Sequence, residues 1–365
     1  MEKVNCPGMD EVRLYRGTRS LSDALFLSTA AHELRKRSPS TRIILETHWP
    51  QIFYGNPSVD AVFPSGPRPG KGAIPVSYED PWPPPGRHVL ETICSNLGME
   101  GPDLRTYYYE LDPERIRARQ IVRPSSRPLV VVHPFSSFFA ASSKQWNFHH
   151  WEKFLDLLPP EIETIRYGNP EEPATPTERE HHREMIGVDL RVFASILRNA
   201  DAFVGQESGL AHLATALGVP SVVIFTGYGS PEVLGYKGNL NLVPQLPYAP
   251  CVLLQPARAL VEIQHPAVLL QHRRVGTQAH AGTVAVVLEH LLLIVGKPED
   301  AFQFSNHQVV GRETIGNRYQ GRSGGGSCRT FDIGPFILSL MIKPWRFTCV
   351  RVGWIVQRPV GAGML

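Results

Sequence analysis

The amino-acid sequence predicts an α/β protein of two parallel-sheet units with a cleft between them. Two observations carry this reading. Strand-like apolar runs alternate with helix-like segments twice within the first 225 residues, the pattern of consecutive βα units. Leu129-Val130-Val131-Val132 is an apolar run with three β-branched members, as expected of a strand covered on both faces. In open sheets of this kind a ligand sits beyond the carboxyl ends of the strands, which places the site where the two units face each other.

The elements follow in order. Val12–Tyr15 reads as a strand, residues 22–37 as a helix, Arg42–Leu45 as a second strand, and a further segment ends in Val59–Phe63. Between residues 64 and 85 fall eight of the 33 prolines, joined by glycines 66, 70, 72 and 86. This composition predicts a surface loop. HVLETICSNLGM then reads as a helix, LRTYYYEL as a strand and PERIRARQI as a helix. VRPSSRP, residues 122–128, marks the boundary. Beyond it, strands at 129–133, 164–167, 202–205 and 221–225 alternate with helices at 148–158, 190–199 and 209–217. The expected division is 1–125, 126–252 and a tail at 253–365 of unassigned fold. That tail holds 12 basic and 6 acidic residues, against 25 and 28 in the rest, and one helical candidate, Val284–Val295.

Composition excludes several classes. The chain has 365 residues, 42% hydrophobic and 19% charged, enough to bury a core and unlike a disordered chain. Its 37 basic and 34 acidic groups nearly cancel, leaving no footprint for nucleic acid. Five scattered cysteines without a C-x-x-C pair argue for reduced thiols in the cytoplasm. No apolar run approaches a membrane span, and the start MEKVNCPGMDE has no apolar core of a secretory signal. G-x-G-x-x-G and G-x-x-x-x-G-K-[ST] are absent, which removes most support for dinucleotide dehydrogenases and P-loop ATPases.

Three constellations remain. In RGTRSLSDALFLSTAAHELRKR, Ser20 and Asp23 have capping-box spacing, which puts Asp23 in the first turn of a helix at a strand's carboxyl end. Asp23 is either a helix-dipole partner or a base facing the cleft. Arg16 and Arg19 either hold its charge, bind a phosphate or are solvated surface arginines. In VGQESGLAHLATALGVPSVVIF, a strand ends and a helix opens at Ser208-Gly209, a ready anion site suited to a diphosphate. Gly209 would let a ligand approach the backbone. Glu207 repels phosphate and suits a sugar hydroxyl, and His212 lies one turn in, as a ligand donor or a half-buried core histidine. In HPFSSFFAASSKQWNFHHWEKF, serines including Ser142 and Ser143 precede Lys144, and hydroxyls with a lysine suit phosphate. Trp146, Phe148 and Trp151 read as packing residues. The pairs His149-His150 and His181-His182 lack the spacing of metal ligands, so no metal and no cofactor is expected.

These motifs together resemble glycosyltransferase family 9, the ADP-heptose:lipopolysaccharide heptosyltransferases, over residues 12–250. The resemblance rests on Leu21-Ser22-Asp23-Ala24-Leu25 through Glu33-Leu34-Arg35, RIILET with Asn56-Pro57-Ser58-Val59-Asp60-Ala61-Val62, His133-Pro134 with Lys144-Gln145-Trp146, and Glu207 through Pro220. It implies the GT-B architecture, two Rossmann-like domains facing a cleft. It also implies an inverting, metal-independent transfer of a heptose or related sugar, from a nucleotide diphosphate donor to a lipopolysaccharide core or other glycan. Asp23 would be the base. Lys144 and the amides at Gly209 and Leu210 would receive the leaving diphosphate, and Glu207 the sugar. Ser142, Ser143, Glu171, Ser208 and His212 would complete the donor site, and Arg16, Arg19 and Ser22 the acceptor site. A glycolipid acceptor implies peripheral contact with the inner membrane. Ser22 stands where the family has Gly, Glu207 where it has Asp, and the tail does not resemble the family's C-terminal helices. These departures keep two alternatives open: a sugar-nucleotide-binding protein with weakened catalysis, or a sugar-nucleotide epimerase of the same fold.

Overall fold

A computed structural model describes residues 4–80, 82–84, 86–122, 125–135, 144–146, 148–170, 172, 174–175, 177–226 and 228–244, and the backbone of four later strands. The chain divides into two units, Met1–Gln303 and Phe304–Leu365. The candidate helix Val284–Val295 lies outside the described residues.

The first unit contains two sheets. Four parallel strands, β1 (Glu11–Arg16), β2 (Arg42–Thr47), β3 (Ala61–Pro64) and β4 (Ile74–Pro75), lie in the order β3-β2-β1-β4. The other sheet comprises β5 (Leu129–His133), β6 (Glu163–Gly168), β7 (His182–Ile186), β8 (Ala202–Gln206), β9 (Ser221–Ile224), β10 (Leu240–Pro244) and β11 (Val268–Gln271), in the order β11-β10-β9-β8-β5-β6-β7. All its pairings are parallel except the antiparallel edge of β10 with β11. The apolar run at Leu129 becomes β5, near the middle of the sheet and buried at every position, because parallel strands are covered on both faces. The second unit holds an antiparallel meander, β12 (Leu338–Ile342), β13 (Trp345–Val350) and β14 (Gly353–Gln357).

Seven helices are described: α1 (Leu21–Arg37), α2 (Val89–Asn96), α3 (Asp112–Ile121), α4 (Phe148–Leu157), α5 (Leu190–Arg198), α6 (Gly209–Leu217) and α7 (Pro231–Leu234). Their placement follows the alternation expected from sequence. Helix α1 is buried without a break from Asp23 to Ala31. That helix packs on its own sheet and also on α6 of the other half, so no face of its middle reaches water. Trp146 and Trp151 meet edge-on at 5.1 Å, and Trp151 is fully buried with Phe154, as the packing reading required.

Three details differ from expectation. LRTYYYEL forms no strand. Its polar groups bond to the helices it crosses: Thr29 donates to the Arg105 carbonyl at 2.6 Å, the Tyr107 amide to Ser28 Oγ at 2.8 Å, and Thr106 to the His212 carbonyl at 2.9 Å. These long-range bonds to helix residues satisfy the backbone and side-chain groups in place of a strand ladder. Ser20 is the N-cap of α1 but makes no side-chain cap bond, so the capping box is absent. Strand β7 has no counterpart in the sequence reading, since HREMI lacks a clean alternation.

The two halves of this unit are tied by Arg191 at the start of α5. Its guanidinium bonds both carboxylate oxygens of Glu114 on α3, the Gln51 carbonyl at 2.6 Å and the Tyr109 carbonyl at 2.9 Å. It also lies over the Tyr108 ring at 5.0 Å. A second tie is His88, the N-cap of α2, whose Nε2 lies 3.0 Å from the Gly235 carbonyl.

Burial drives two imidazoles down. His88, with His212 adding to the effect, and His133 at the end of β5 both fall to about 4 from 6.5. Each is neutral in the fold and protonates readily once unfolded. The unfolded chain therefore binds more protons below about pH 6.5, and stability declines from there to about pH 4, where the loss from these two groups levels off. Melting temperatures between pH 7.5 and 4 test this; a flat profile across that window would contradict it.

Candidate functional site

The site forms where α1 and α6 begin, each just past the carboxyl end of a strand. Gly209, the first residue of α6, brings the two starts together. A Cβ built on it would lie 2.6 Å from Leu21 Cβ and 3.0 Å from Leu21 Cγ. A neighbour that needs this glycine is thus the opposite helix. Gly209→Ala places a methyl against an atom fixed to the α1 backbone. Overpacking of this sort costs about 1–3 kcal/mol, and a shift of the denaturation midpoint of that size is expected.

On the α1 side, Asp23 is buried and its carboxylate accepts three bonds. Tyr78 OH donates to Oδ1 at 2.6 Å, Arg16 Nη2 to Oδ2 at 3.0 Å, and Thr18 Oγ1 to Oδ2. An ionised carboxylate offers about four lone-pair directions, so Oδ1 keeps one for a further donor. Arg16 is not a surface arginine. It is buried, bonds the Val76 carbonyl at 3.0 Å, pairs with both oxygens of Glu79, and lies over the Tyr78 ring at 4.8 Å. Its terminal N–H groups are committed within the protein, as a holder of Asp23's charge. Arg19 is exposed, with its carbonyl accepting from Trp49 Nε1 at 2.9 Å, and Ser22 is half-buried in the first turn of α1.

On the α6 side, Glu207 is the centre. Lys144 Nζ lies 3.1 Å from Oε2 and His212 Nε2 3.4 Å from Oε1. Burial pushes the Glu207 carboxyl up, but Lys144 and His212 outweigh it and hold it at about 2. His212 Nδ1 lies 2.7 Å from Tyr236 OH. Burial keeps that phenol far above its usual range, and the ring's other nitrogen, Nε2, faces Glu207. Ser208 caps no amide, and its buried Oγ has no hydrogen-bond partner. Leu210 is buried as core. Ser142, Ser143 and Glu171 lie outside the described residues. The neighbouring Glu172 is bound to Arg166 at 2.6 Å, an internal ion pair.

The two sides are joined by a row of rings. Tyr78, on Asp23, lies 5.8 Å from Trp82; Trp82 lies 5.6 Å from Tyr228; and Lys144 Nζ sits 4.0 Å over the Tyr228 ring. On the other flank Phe26 meets both Tyr78, at 5.7 Å, and His212, at 4.8 Å. The base candidate and the Lys144–Glu207–His212 group thus face each other across a few ring widths. Sequence spacing missed Tyr78, Glu79, Trp82, Tyr228 and Tyr236. The first three sit in or beside the proline-rich segment, whose composition reads only as loop. Among the described residues no group of three or more His, Cys, Asp or Glu could hold a metal ion, and no helix is long and apolar enough to cross a membrane.

Residues 86–252 match the model of glycosyltransferase family 9 (heptosyltransferase). The glycosyl transferase family 9 structure from Veillonella parvula DSM 2008 is similar at 13% identity and a TM-score of 0.54, over 66% of this chain and 87% of that one. The ADP-heptose lps heptosyltransferase II of E. coli is similar at 16% identity and a TM-score of 0.52, over 76% of this chain and 99% of that one. No curated protein matches the chain. The first unit thus has the two-sheet GT-B fold of these structures, and the segment that matches the family model takes in Lys144, Glu207 and His212 but begins after Asp23 and after the four-stranded sheet.

Proposed function

We propose that this glycosyltransferase is an inverting enzyme that moves a heptose, or a related sugar, from a nucleoside diphosphate donor to a glycan acceptor. ADP-heptose is the donor and a lipopolysaccharide inner core the acceptor that the family suggests. The observation that carries the reading is the closed circuit from Asp23 through Tyr78, Trp82 and Tyr228 to Lys144 and Glu207. A proton acceptor at one end of this row, and a cation beside a helix N-terminus at the other, are the two groups an in-line displacement would use.

Asp23 accepts the proton of the acceptor hydroxyl through the open lone pair of Oδ1. The oxygen attacks the anomeric carbon from the side opposite the diphosphate, and the bond from that carbon to the phosphate oxygen breaks. Negative charge collects on the departing diphosphate. Lys144 and the first amides of α6, at Gly209 and Leu210, receive it, because preorganised donors stabilise charge where it develops. Glu207 holds a sugar hydroxyl, and His212 Nε2 and Ser208 Oγ supply further bonds to the donor. Ser142, Ser143 and Glu171 would extend the donor site, and Arg19 and Ser22 border the acceptor's approach. These cations do the work a divalent metal does elsewhere, so the reaction is written without one. A lipid-linked acceptor would bring the protein to the surface of the inner membrane from the cytoplasmic side.

The test is incubation with ADP-heptose and a heptose-free lipopolysaccharide core, following ADP release. Release that needs the acceptor supports transfer. Donor binding without release, seen by thermal shift, points to the weakened binding protein instead. Conversion of the sugar nucleotide without any acceptor points to the epimerase.

A further inference from the structure

Asp23 and Glu79 share one arginine, and Glu79 holds the larger part of it. Arg16 gives Asp23 a single bond, from Nη2. It gives Glu79 two, from Nη1 at 3.1 Å and from Nη2, and the Tyr78 amide adds a bond to Glu79 Oε2 at 3.0 Å. Arg16 is 7% exposed and Glu79's side chain 46%. The arginine is therefore a buried cation between two carboxylates, one inside the cleft wall and one at its edge. Arg16 on its own would present a full positive charge 3.0 Å from Asp23. A guanidinium at that distance stabilises a carboxylate as the anion and makes it reluctant to take a proton. A second carboxylate on the far side of the guanidinium cancels most of that field.

We propose that Glu79 is a positioning residue for the reaction: by neutralising Arg16 it lets the arginine orient Asp23 without quenching it as a proton acceptor. This inference rests on the reading of Asp23 as the base. The other groups facing Asp23 leave this role to Glu79. Thr18 is neutral, and Tyr78 stays protonated because burial raises it far above its usual range. Tyr228 is raised too, by burial, and lies between Asp23 and the already paired Lys144 and Glu207. The Phe26 ring stands between Tyr78 and His212. Burial pushes Glu79 up, but Arg16 and the Tyr78 amide outweigh it and hold it below the usual carboxylate range, so it carries its charge at neutral pH.

The experiment is the pH profile of kcat/KM for ADP-heptose and the heptose-free core, in the wild type and in Glu79→Gln, Glu79→Asp and Asp23→Asn. In Glu79→Gln the acidic limb is expected to move to lower pH by about one unit. The plateau kcat falls with it, as a weaker base transfers the proton less readily. Donor KM stays unchanged. Glu79→Asp, which keeps the charge, retains the wild-type limb. A variant that was merely less stable would lose activity earlier on acidification, moving the limb to higher pH, the opposite direction. Should Glu79→Gln not fold, Glu79→Ser removes the same charge and leaves room for water. An unmoved limb in the neutral variants, or an equal shift in Glu79→Asp, overturns the role of Glu79 while the loss in Asp23→Asn leaves the base standing. Wild-type turnover in Asp23→Asn removes the base, and with it both claims.

Discussion

Asp23→Asn lowers turnover by about 10²–10⁴-fold, the usual contribution of a general base, and leaves donor affinity unchanged. Asparagine is close in shape to aspartate, and its single carbonyl oxygen can still accept from Tyr78. It cannot accept the acceptor's proton, and it presents an amide where Arg16 expects a carboxylate. The donor site lies on the α6 side, around Lys144 and Glu207, so binding of ADP-heptose is separable from the chemistry. The measurement is ADP release under saturating donor, paired with a donor dissociation constant from thermal shift. Equal losses in both quantities would mean that Asp23 holds the site together and does no chemistry.

Arg191→Ala destabilises the first unit by about 3–5 kcal/mol, the cost of breaking a buried ion pair from one side. Arg191 is 5% exposed and Glu114 9% exposed. Removing the guanidinium strands the Glu114 carboxylate without its cation, leaving it the Leu111 amide, and takes one bond from each of the Gln51 and Tyr109 carbonyls. The double variant Arg191→Met with Glu114→Leu costs less than the single one, because no buried charge is stranded. Urea denaturation of the three proteins checks both statements. A single variant within about 1 kcal/mol of wild type, the scale of an exposed pair, would show that the halves are held by other contacts. The same bond set joins the half bearing Asp23 to the half bearing Glu207, so Arg191→Ala also lowers kcat through misalignment.

The resemblance to family 9, read from four motifs in order, agrees with the family match over residues 86–252 and with the two-sheet fold. The GT-B architecture is legible in the sequence because parallel strands announce themselves locally. A run such as Leu129–Val132 is apolar throughout, and each helix that follows has its own start signal. The segment at Leu104–Leu111 misleads for the opposite reason. Its tyrosines have strand propensity, but the backbone groups of Tyr107, Arg105 and Tyr109 are claimed by Ser28, Thr29 and Arg191, and no local pattern records such partners.

Asp23, Glu207 and His212 can be picked from the sequence because each sits a few residues past a strand end, where chain geometry carries a side chain to the carboxyl edge of a sheet. What surrounds them is decided by the packed molecule. Of the three readings open for Arg16, the fold makes it the buried partner of Asp23, and it makes Gly209 the point where α1 meets α6. Tyr78, Glu79 and Trp82 come from a proline-rich stretch about 55 residues after Asp23. The field at a carboxylate falls off with distance through space and is indifferent to separation along the chain, so which charges and rings face Asp23 is a property of the assembled fold.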